Sequence, residues 1–483
     1  MKKKLFVFLI PIVLITISLF PRKENKELVS NTDNLVSFTV DGVESKTMPT
    51  KGSGYIANKI TCKNGSIITF DNDNYIIEVE KLESEDACKI DFSKEIGSNT
   101  VTVTISDTSK IDSTSKTTTE GGKVMFYLTG EPESITGGDY TLSDSKLVVS
   151  DVTANVNLNI TMSKTLYDQL LIDNPTIKER TNFSTVFTDN NTATLYKAQE
   201  NNIDVYYFAG NAQNNWVKFG EFYWRIIRTN ADGSVRLLFH GTSHDSTSAY
   251  LSMSSYNNVQ NDPMYVGYMY GTSGSLNNNR SNTNSSAIKS VIDNWYSLNL
   301  NNNYGKYIST TAIYCNDRSI TSGSYSTTYS FDYATFTRLC TLGTNKSPTY
   351  ECAATEDKFT VDSSTGNGKL TYPIALMTAD EIAFAGGVNG TNAQTWYYYN
   401  SVKESSTGST WWWLMSPFNW STGSFARGLR VSGSSLPGYW ENGNVGGSHG
   451  VRPVISLKSC VKYSSGDGSS SNPYVIKDTS TGC

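Results

Sequence analysis

Short runs in which apolar and polar residues alternate fill the first third of the chain. Residues 35 to 98 contain the runs VSFTV, GYIANKITC, SIITF, YIIEVEKL and ACKIDF, separated by polar turns. Residues 99 to 162 continue with TVTVTI, KVMFYLT, SKLVVS and NVNLNIT. A two-residue period with closely spaced turns is typical of half-buried strands in β-sandwiches. We therefore predict two all-β, immunoglobulin-like modules in tandem, over residues 35 to 98 and 99 to 162.

A short helix is predicted after these modules. Ser163 precedes TLYDQLLID, and a serine at this position can cap the first turn of a helix. The Asp-Asn-Pro sequence at 173 to 175 then ends the pattern, because proline disfavours helical backbone in the residue before it. Residues 163 to 178 are thus predicted to form a linker helix that leads into a large domain, residues 179 to 483.

The large domain mixes strand and helix patterns. Residues 222 to 228 and 234 to 239 are β-branched and aromatic runs joined by a turn that contains Asn, Asp and Gly, which predicts a hairpin. Residues 286 to 295 place a serine cap before apolar residues at the spacing of one buried helix face. TADE at 378 to 381 has the capping-box pattern of a helix start. We therefore predict an α+β domain.

The C-terminal part of this domain is its most distinctive segment. WWWLMSP at 411 to 417 and GVRPVISL at 450 to 457 enclose an aromatic, glycine-rich stretch. WVKFGEFYWRIIRTNADGSVRLLF at 216 to 239, YCNDRS at 314 to 319 and LTYPIALMTADEIAFAGG at 370 to 387 precede it. With these motifs in this order, the chain resembles the uncharacterised C-type-lectin-like domains of surface proteins from Gram-positive gut bacteria, which are distant relatives of the formylglycine-generating-enzyme fold.

The resemblance implies a C-type-lectin-like fold and says little about activity, because one fold hosts unrelated functions. Formylglycine-generating enzymes depend on a pair of cysteines near the C-terminal substrate groove. Residues 411 to 452 contain no cysteine. That activity is therefore not expected in this chain.

The N-terminus and the charge restrict the location and the partners. Lys2 to Lys4 precede an apolar run, Leu5 to Phe20, which is typical of an export signal. Residues 1 to 24 are predicted to be a signal peptide or a signal anchor, and the sequence leaves both open. The protein is expected outside the cell, at the cell surface or secreted, and to contact the membrane only through this segment. A net charge of -5 without a clustered basic face gives no indication of nucleic-acid binding.

Seven cysteines in an exported chain are expected to be mostly paired. Cys62 and Cys88 both end apolar runs of the first module, so we predict that they are bonded. Cys460 and Cys483 bracket the C-terminal tail and are predicted to clamp it. Of the three remaining cysteines, Cys315 and Cys352 lie in segments that resemble the family and are the predicted pair. This assignment leaves Cys340 unpaired.

A ligand surface is predicted on the glycine-rich C-terminal loops. Its residues combine aromatic faces with polar groups, a composition that suits recognition. The predicted ligand-binding residues are Trp420, Arg427, Tyr439, Trp440, Glu441 and Asn444. Asn442 and His449 are further polar residues of the same segment. The triplet at 411 to 413 is instead interpreted mainly as core, because alternation along a strand turns at least one of its first two rings inward.

Other polar and aromatic residues are interpreted structurally. Arg452 could meet an anionic ligand, but an arginine in a closing strand more often satisfies buried carbonyls or a carboxylate. Tyr265, Tyr268 and Tyr270 could be ligand anchors on the long loop from 248 to 286, or they could hold that loop on the domain.

The sequence gives weak indications of catalysis or metal binding. His240 and His244 lie in a polar segment and are expected to be solvated. The paired carboxylates of Asp380 and Glu381 are explained by the positive end of a helix. Asp262, Asp317, Asp380 and Glu441 could supply oxygen ligands to calcium, but no EF-hand or lectin-type ligand triplet is present.

These observations predict a surface protein whose C-terminal head binds an extracellular glycan or protein without catalysis, a cofactor or a metal. Two alternatives stay open. The head could be an extracellular hydrolase or modifying enzyme, or the chain could be a structural envelope protein.

Overall fold

The computed structural model describes residues 36–94, 98–341, 345–392, 405–422, 425–433, 436 and 438–483. These residues are mostly β-sheet, as predicted. The chain forms two compact units, with the boundary between Ser163 and Lys164. The predicted signal peptide or anchor, residues 1 to 24, lies outside the described residues. No helix in the described parts of the chain is long and apolar enough to cross a membrane.

The first unit begins with six short strands. They are β1 (Val36–Val40), β2 (Val43–Ser45), β3 (Tyr55–Cys62), β4 (Ile67–Asp71), β5 (Ile76–Lys81) and β6 (Cys88–Lys94). One sheet has the order β2-β1-β6-β3, and β4 and β5 form a hairpin. Ile90 and Phe92 of β6 are buried at the centre of a small apolar cluster.

The second half of this unit has its own core. Its strands are β7 (Asn99–Ile105), β8 (Ser115–Thr118), β9 (Gly122–Tyr127), β10 (Pro132–Thr136), β11 (Thr141–Ser143), β12 (Lys146–Val152) and β13 (Val156–Met162). The sheet orders are β10-β13-β7-β8 and β11-β12-β9. Val101 and Leu158 of one sheet pack with Phe126 and Leu147 of the other.

The two halves share a strand arrangement. The first strand of each half pairs in parallel with the last: β1 with β6, from Val36 opposite Cys88, and β7 with β13, from Val101 opposite Val156. The Cys62–Cys88 disulfide joins directly opposite residues of β3 and β6, so it lies within one sheet. The predicted bond is therefore present, between neighbouring strands.

The second unit begins with α1 (Leu166–Asp173). Thr165, not Ser163, caps this helix, and Asp168 completes a capping box with it. Leu166 and Leu170 are buried in the core of the second unit. The predicted linker helix is therefore an integral part of the large domain, because its apolar face is buried there.

The remaining elements follow in sequence order. The strands are β14 (Thr176–Glu179), β15 (Asn190–Asn191), β16 (Thr194–Glu200), β17 (Ile203–Tyr207), β18 (Asn211–Ala212), β19 (Trp216–Phe219), β20 (Phe222–Thr229), β21 (Val235–Gly241), β22 (Met253–Ser255), β23 (Met269–Tyr270), β24 (Asn284–Ser285), β25 (Tyr314–Cys315), β26 (Ile320–Ser322), β27 (Phe331–Tyr333), β28 (Lys358–Phe359), β29 (Ala375–Leu376), β30 (Trp412–Trp420), β31 (Ala426–Val431), β32 (Trp440–Asn444), β33 (Ser448–Gly450), β34 (Pro453–Leu457), β35 (Tyr463–Ser465) and β36 (Tyr474–Ile476). The helices are α2 (Leu276–Asn279), α3 (Ala287–Asn299) and α4 (Ala379–Ala385).

Two sheets organise the described residues of this unit. The larger has the order β14-β16-β17-β20-β19-β36-β35, and β21, β34 and β29 extend it from β20. The other has the order β22-β33-β30-β27-β26, and β31 and β32 extend it from β30. The second sheet carries most of the predicted ligand residues.

The local predictions for this unit are confirmed. The predicted hairpin is the antiparallel pair β20 and β21. Ser286 caps α3, and the side chains of Thr378 and Glu381 form the predicted capping box of α4. The predicted disulfides Cys315–Cys352 and Cys460–Cys483 are present, and Cys340 is a buried free thiol.

Deletion of residues 1 to 163 is expected to leave the second unit folded. Its apolar cluster is built from residues 166 to 474, and the Cys460–Cys483 bond closes its own tail. A single cooperative thermal transition of residues 164 to 483, at the temperature seen for this unit in the full chain, would agree with that. A broad, non-cooperative transition would contradict it.

Candidate ligand-binding groove

The tryptophan triplet is mostly core. Trp412 and Trp413 are 2% and 0% exposed, whereas Trp411, just before β30, is only partly buried. The indole Nε1 of Trp413 donates to the carbonyl of Ser254 at 3.1 Å. The interpretation of this segment as packing is therefore confirmed for its second and third rings.

Two predicted ligand residues are also core. Trp420 and Trp440 are 3% and 1% exposed and belong to the main apolar cluster of the second unit. Trp440 lies opposite Val431 in the β31–β32 pair and turns inward with it. The prediction that these rings face a ligand is wrong, because the segments form the strands β30 and β32, whose tryptophans pack in the main apolar cluster.

The other predicted ligand residues lie around one open groove on β31 and β32. The groove has a volume of about 380 Å³. Its lining residues, most of them polar side chains or glycines, are Arg427, Arg430, Asn442, Gly443, Asn444, Gly447 and His449. Arg427, Glu441, Asn444 and Tyr439 are all partly buried. The structure thus brings together the polar part of the predicted site and removes two of its tryptophans.

Arg430 organises one side of this groove and was not among the predicted ligand residues. Its guanidinium donates to Glu441 Oε1 at 2.9 Å and to His449 Nε2 at 2.7 Å. The same group lies 4.4 Å from the ring centroid of Trp411, a favourable cation–π distance. Tyr439 donates to the second oxygen of Glu441 at 3.4 Å. Glu441 is therefore neutralised by Arg430 and holds it in place.

His449 is neutral in this arrangement, because its Nε2 accepts a hydrogen bond from Arg430 and carries no proton there. Burial, together with the charge of Arg430, lowers the pKa of His449 to about 4. The groove therefore gains no cationic histidine at neutral pH.

The stability of the second unit is expected to fall as His449 becomes protonated. The folded-state pKa of about 4 is below the ordinary value of 6.5. The stabilisation is thus complete above pH 6.5 and is lost as the pH falls from there through 4. Denaturation curves of the native chain and of His449→Gln should converge over this interval. A constant difference between them would contradict the assignment. The other titrating groups are common to both proteins, so their contributions cancel in the comparison.

A row of polar side chains crosses four strands of the same sheet. Asp332 on β27 lies opposite Asn419 on β30, Asn419 opposite Arg427 on β31, and Arg427 opposite Asn444 on β32. Directly opposite residues of antiparallel strands project from the same face. All four are partly buried, whereas their neighbours Phe331, Trp420 and Ala426 are buried. We call Asp332, Asn419, Arg427 and Asn444 the polar row.

Several polar side chains on this surface have no hydrogen-bond partner within the described residues. The side chains of Arg427, Asn442 and Asn444 make no hydrogen bond there, and the buried Nε of Arg427 and Oδ1 of Asn419 have no partner. Burial raises the pKa of Asp332 above its usual value. Polar groups without partners at a partly buried site are available to a ligand.

The other candidates are structural. His240 is fully buried rather than solvated, and its ring contacts the carbonyl of His244 at 2.9 Å through Nε2. Arg452 is fully buried and donates to the carbonyl of Phe239 at 2.7 Å. Tyr268 is buried, and its hydroxyl donates a hydrogen bond to the carbonyl of Ile374. It therefore holds the long loop on the domain.

The same loop has a second attachment, which was not predicted. Arg318, within the YCNDRS motif, is fully buried and pairs with Asp357 at 2.7 Å. It also donates to the carbonyl of Met269 and to Asn282, both in the loop. The charge in this motif therefore fixes loop position.

The paired carboxylates at the start of α4 belong to a buried ion network. Glu381 Oε1 accepts from Arg228 at 3.1 Å and from Arg236 at 2.7 Å. Asp380 accepts a fork of hydrogen bonds from Arg338, which also contacts Asp317. The helix end alone does not explain these residues. The cavity beside them measures about 30 Å³, room for little more than a water molecule.

The possible calcium ligands do not converge. Asp317 and Asp380 bind Arg338, and Glu441 binds Arg430. Within the described residues, the one group of His, Cys, Asp or Glu close enough to share a metal ion is Cys62, Asp86 and Cys88. The two sulfurs of this group are bonded to each other.

Comparison of the chain with protein-family models, curated proteins and solved structures found no match in any of the three searches.

Proposed function

We propose that this is an exported cell-surface or secreted protein whose second unit binds an extracellular ligand, without catalysis, in the groove on β31 and β32. The observation that carries the proposal is the unused hydrogen-bonding capacity of Arg427, Asn442 and Asn444 at one open surface. A cation and two amides without partners suit recognition by hydrogen bonds. His449, which could otherwise act as a base, is occupied by Arg430.

The architecture that accompanies this proposal is two immunoglobulin-like modules followed by a C-type-lectin-like head. The parallel pairing of first and last strands in both halves of the first unit supports two modules of one kind. The helices and irregular antiparallel sheets of the second unit are in keeping with the proposed head. Three disulfides among the described residues fit an oxidising, extracellular environment.

Ligand binding is expected to depend on the polar side chains of the groove. The buried tryptophans are not expected to contact the ligand. The purified full chain would be tested on a combined glycan and protein array, together with the double variant Arg427→Gln/Asn444→Ala. The variant should lose about 2 kcal/mol or more of binding free energy and keep the melting temperature of the native chain, because both side chains are without structural partners.

Lys369→Gln is the matched control, since Lys369 is exposed, is not among the groove residues and carries the same charge as Arg427. It should bind like the native chain. If the native chain retains nothing on either array, or if the double variant binds unchanged, the groove is not the ligand site.

A further inference from the structure

The polar row has a chemical order that narrows the class of ligand. From β27 to β32 it presents a carboxyl, an amide, a guanidinium and an amide: Asp332, Asn419, Arg427 and Asn444. Neighbouring strands lie about 4.8 Å apart, so the row spans roughly 14 Å across the strands. We infer that the groove binds an acidic oligosaccharide with a sugar carboxylate on Arg427. Arg427 and Asn444 of the polar row line the groove, and further sugars extend from there across the strands towards Asn419 and Asp332. This inference rests on the proposed function and specifies its ligand.

The charges around the groove indicate that the ligand carries an acidic group. Arg430 is neutralised by Glu441, and His449 accepts from Arg430 and is neutral. In the described residues no ion pair joins Arg427 to a carboxylate. Asp332 is two strands away, roughly 10 Å, which is beyond ion-pair distance. Arg427 is therefore the cation left for a ligand, and its planar guanidinium matches a carboxylate with two parallel hydrogen bonds.

The sugar is indicated by the rest of the surface. The amides of Asn442 and Asn444, which line the groove, can each donate and accept, as a sugar hydroxyl can. The groove lining contains glycines and polar side chains, and no large apolar side chain. Arg430 covers a face of Trp411. Tight protein partners generally need aromatic or aliphatic anchors in apolar pockets, so a peptide has little to gain here.

Matched pairs of probes separate the acidic group from the sugar. The purified full chain would be titrated with trigalacturonate and with the corresponding neutral galactotriose, and screened on an array of uronate, sialylated, sulfated and neutral glycans. Carboxylated glycans should bind at least about tenfold more tightly than their neutral parents, because hydrogen bonds to charged groups are stronger than those between neutral groups. The affinity should also fall as the salt concentration rises.

Variants assign the carboxylate to Arg427. Arg427→Gln should remove the preference for acidic over neutral probes, and Arg427→Lys should keep the charge but lose part of the preference, because lysine lacks the planar fork. Asn444→Ala should lower the affinity for acidic and for neutral probes by the same factor. Lys369→Gln should change nothing. Unchanged melting temperatures would exclude unfolding as the cause.

The possible failures are distinguishable. Equal affinity for acidic and neutral glycans, or a preference that survives Arg427→Gln, overturns the acidic assignment and leaves the proposed binding function in place. Binding to proteins but to no glycan overturns the sugar assignment in the same way. Stronger binding of sulfated than of carboxylated glycans would replace the carboxylate by a sulfate and overturn the inference as stated.

Discussion

Replacement of Trp440 by alanine is expected to lower the free energy of unfolding of the second unit by about 3 to 5 kcal/mol. The ring is 1% exposed and packs in the main apolar cluster, so its removal leaves a cavity that the surrounding sheet cannot close. The preceding residue provides the control. Tyr439 is partly buried, touches Trp411 with a ring-centroid distance of 6.1 Å, and should lose much less stability on the same replacement.

Chemical denaturation of both variants, with ligand retention measured on the folded fraction, decides between core and contact. If Trp440→Ala lowered the free energy of unfolding by less than about 1 kcal/mol and also caused a large loss of binding, Trp440 would be a ligand contact and not a core residue.

Glu381→Gln is expected to cost about 3 to 5 kcal/mol of stability, because it removes the counter-charge of the buried Arg236 and leaves the buried Arg228 with Glu200 alone. The carboxylate is 1% exposed and lies between Arg228 and Arg236. Glutamine keeps the shape of the side chain and an oxygen that can accept from the backbone of Thr378, so the helix cap is preserved. The loss therefore reports the ion pairs.

Glu356→Gln is the matched control, because Glu356 is exposed and on the surface of the same unit. Urea denaturation at neutral pH should show it within about 0.5 kcal/mol of the native chain. Equal midpoints for the two variants would mean that the network contributes no more than a surface charge. The arginines lower the pKa of Glu381 despite its burial, so the stabilisation is present above the ordinary carboxyl pKa and is lost as the pH falls through the lower, folded-state value.

The elements predicted well are those with local causes. The β20–β21 hairpin depends on a turn between two apolar runs, and α4 depends on Thr378 and Glu381, three residues apart. The first helix shows the limit of such signals: Ser163 was a plausible cap, but Thr165 has Asp168 at the right distance. Residues near one another in the chain determine these features, so the sequence displays them directly.

The site was predicted only in part because strand register forms it. Arg427 and Asn444 were recognised as candidates, but Asp332 and Asn419 join them only through the pairing of β27, β30, β31 and β32. The spacing of Arg427 and Arg430 gave no signal, because residues an odd number apart in a strand project from opposite faces. For the tryptophans, the sequence predicted exposure where the structure shows burial. Glycine-rich surroundings suggested loops at Trp420 and Trp440, whereas both residues end or begin regular strands.

The parallel pairing of first and last strands in the first unit also determines how each half would carry a mechanical load. In a parallel pair, the start of one strand and the end of the other lie at opposite ends of the pair. Tension applied through the chain ends would therefore slide β1 along β6, and β7 along β13. Their backbone hydrogen bonds would be sheared together rather than unzipped one at a time.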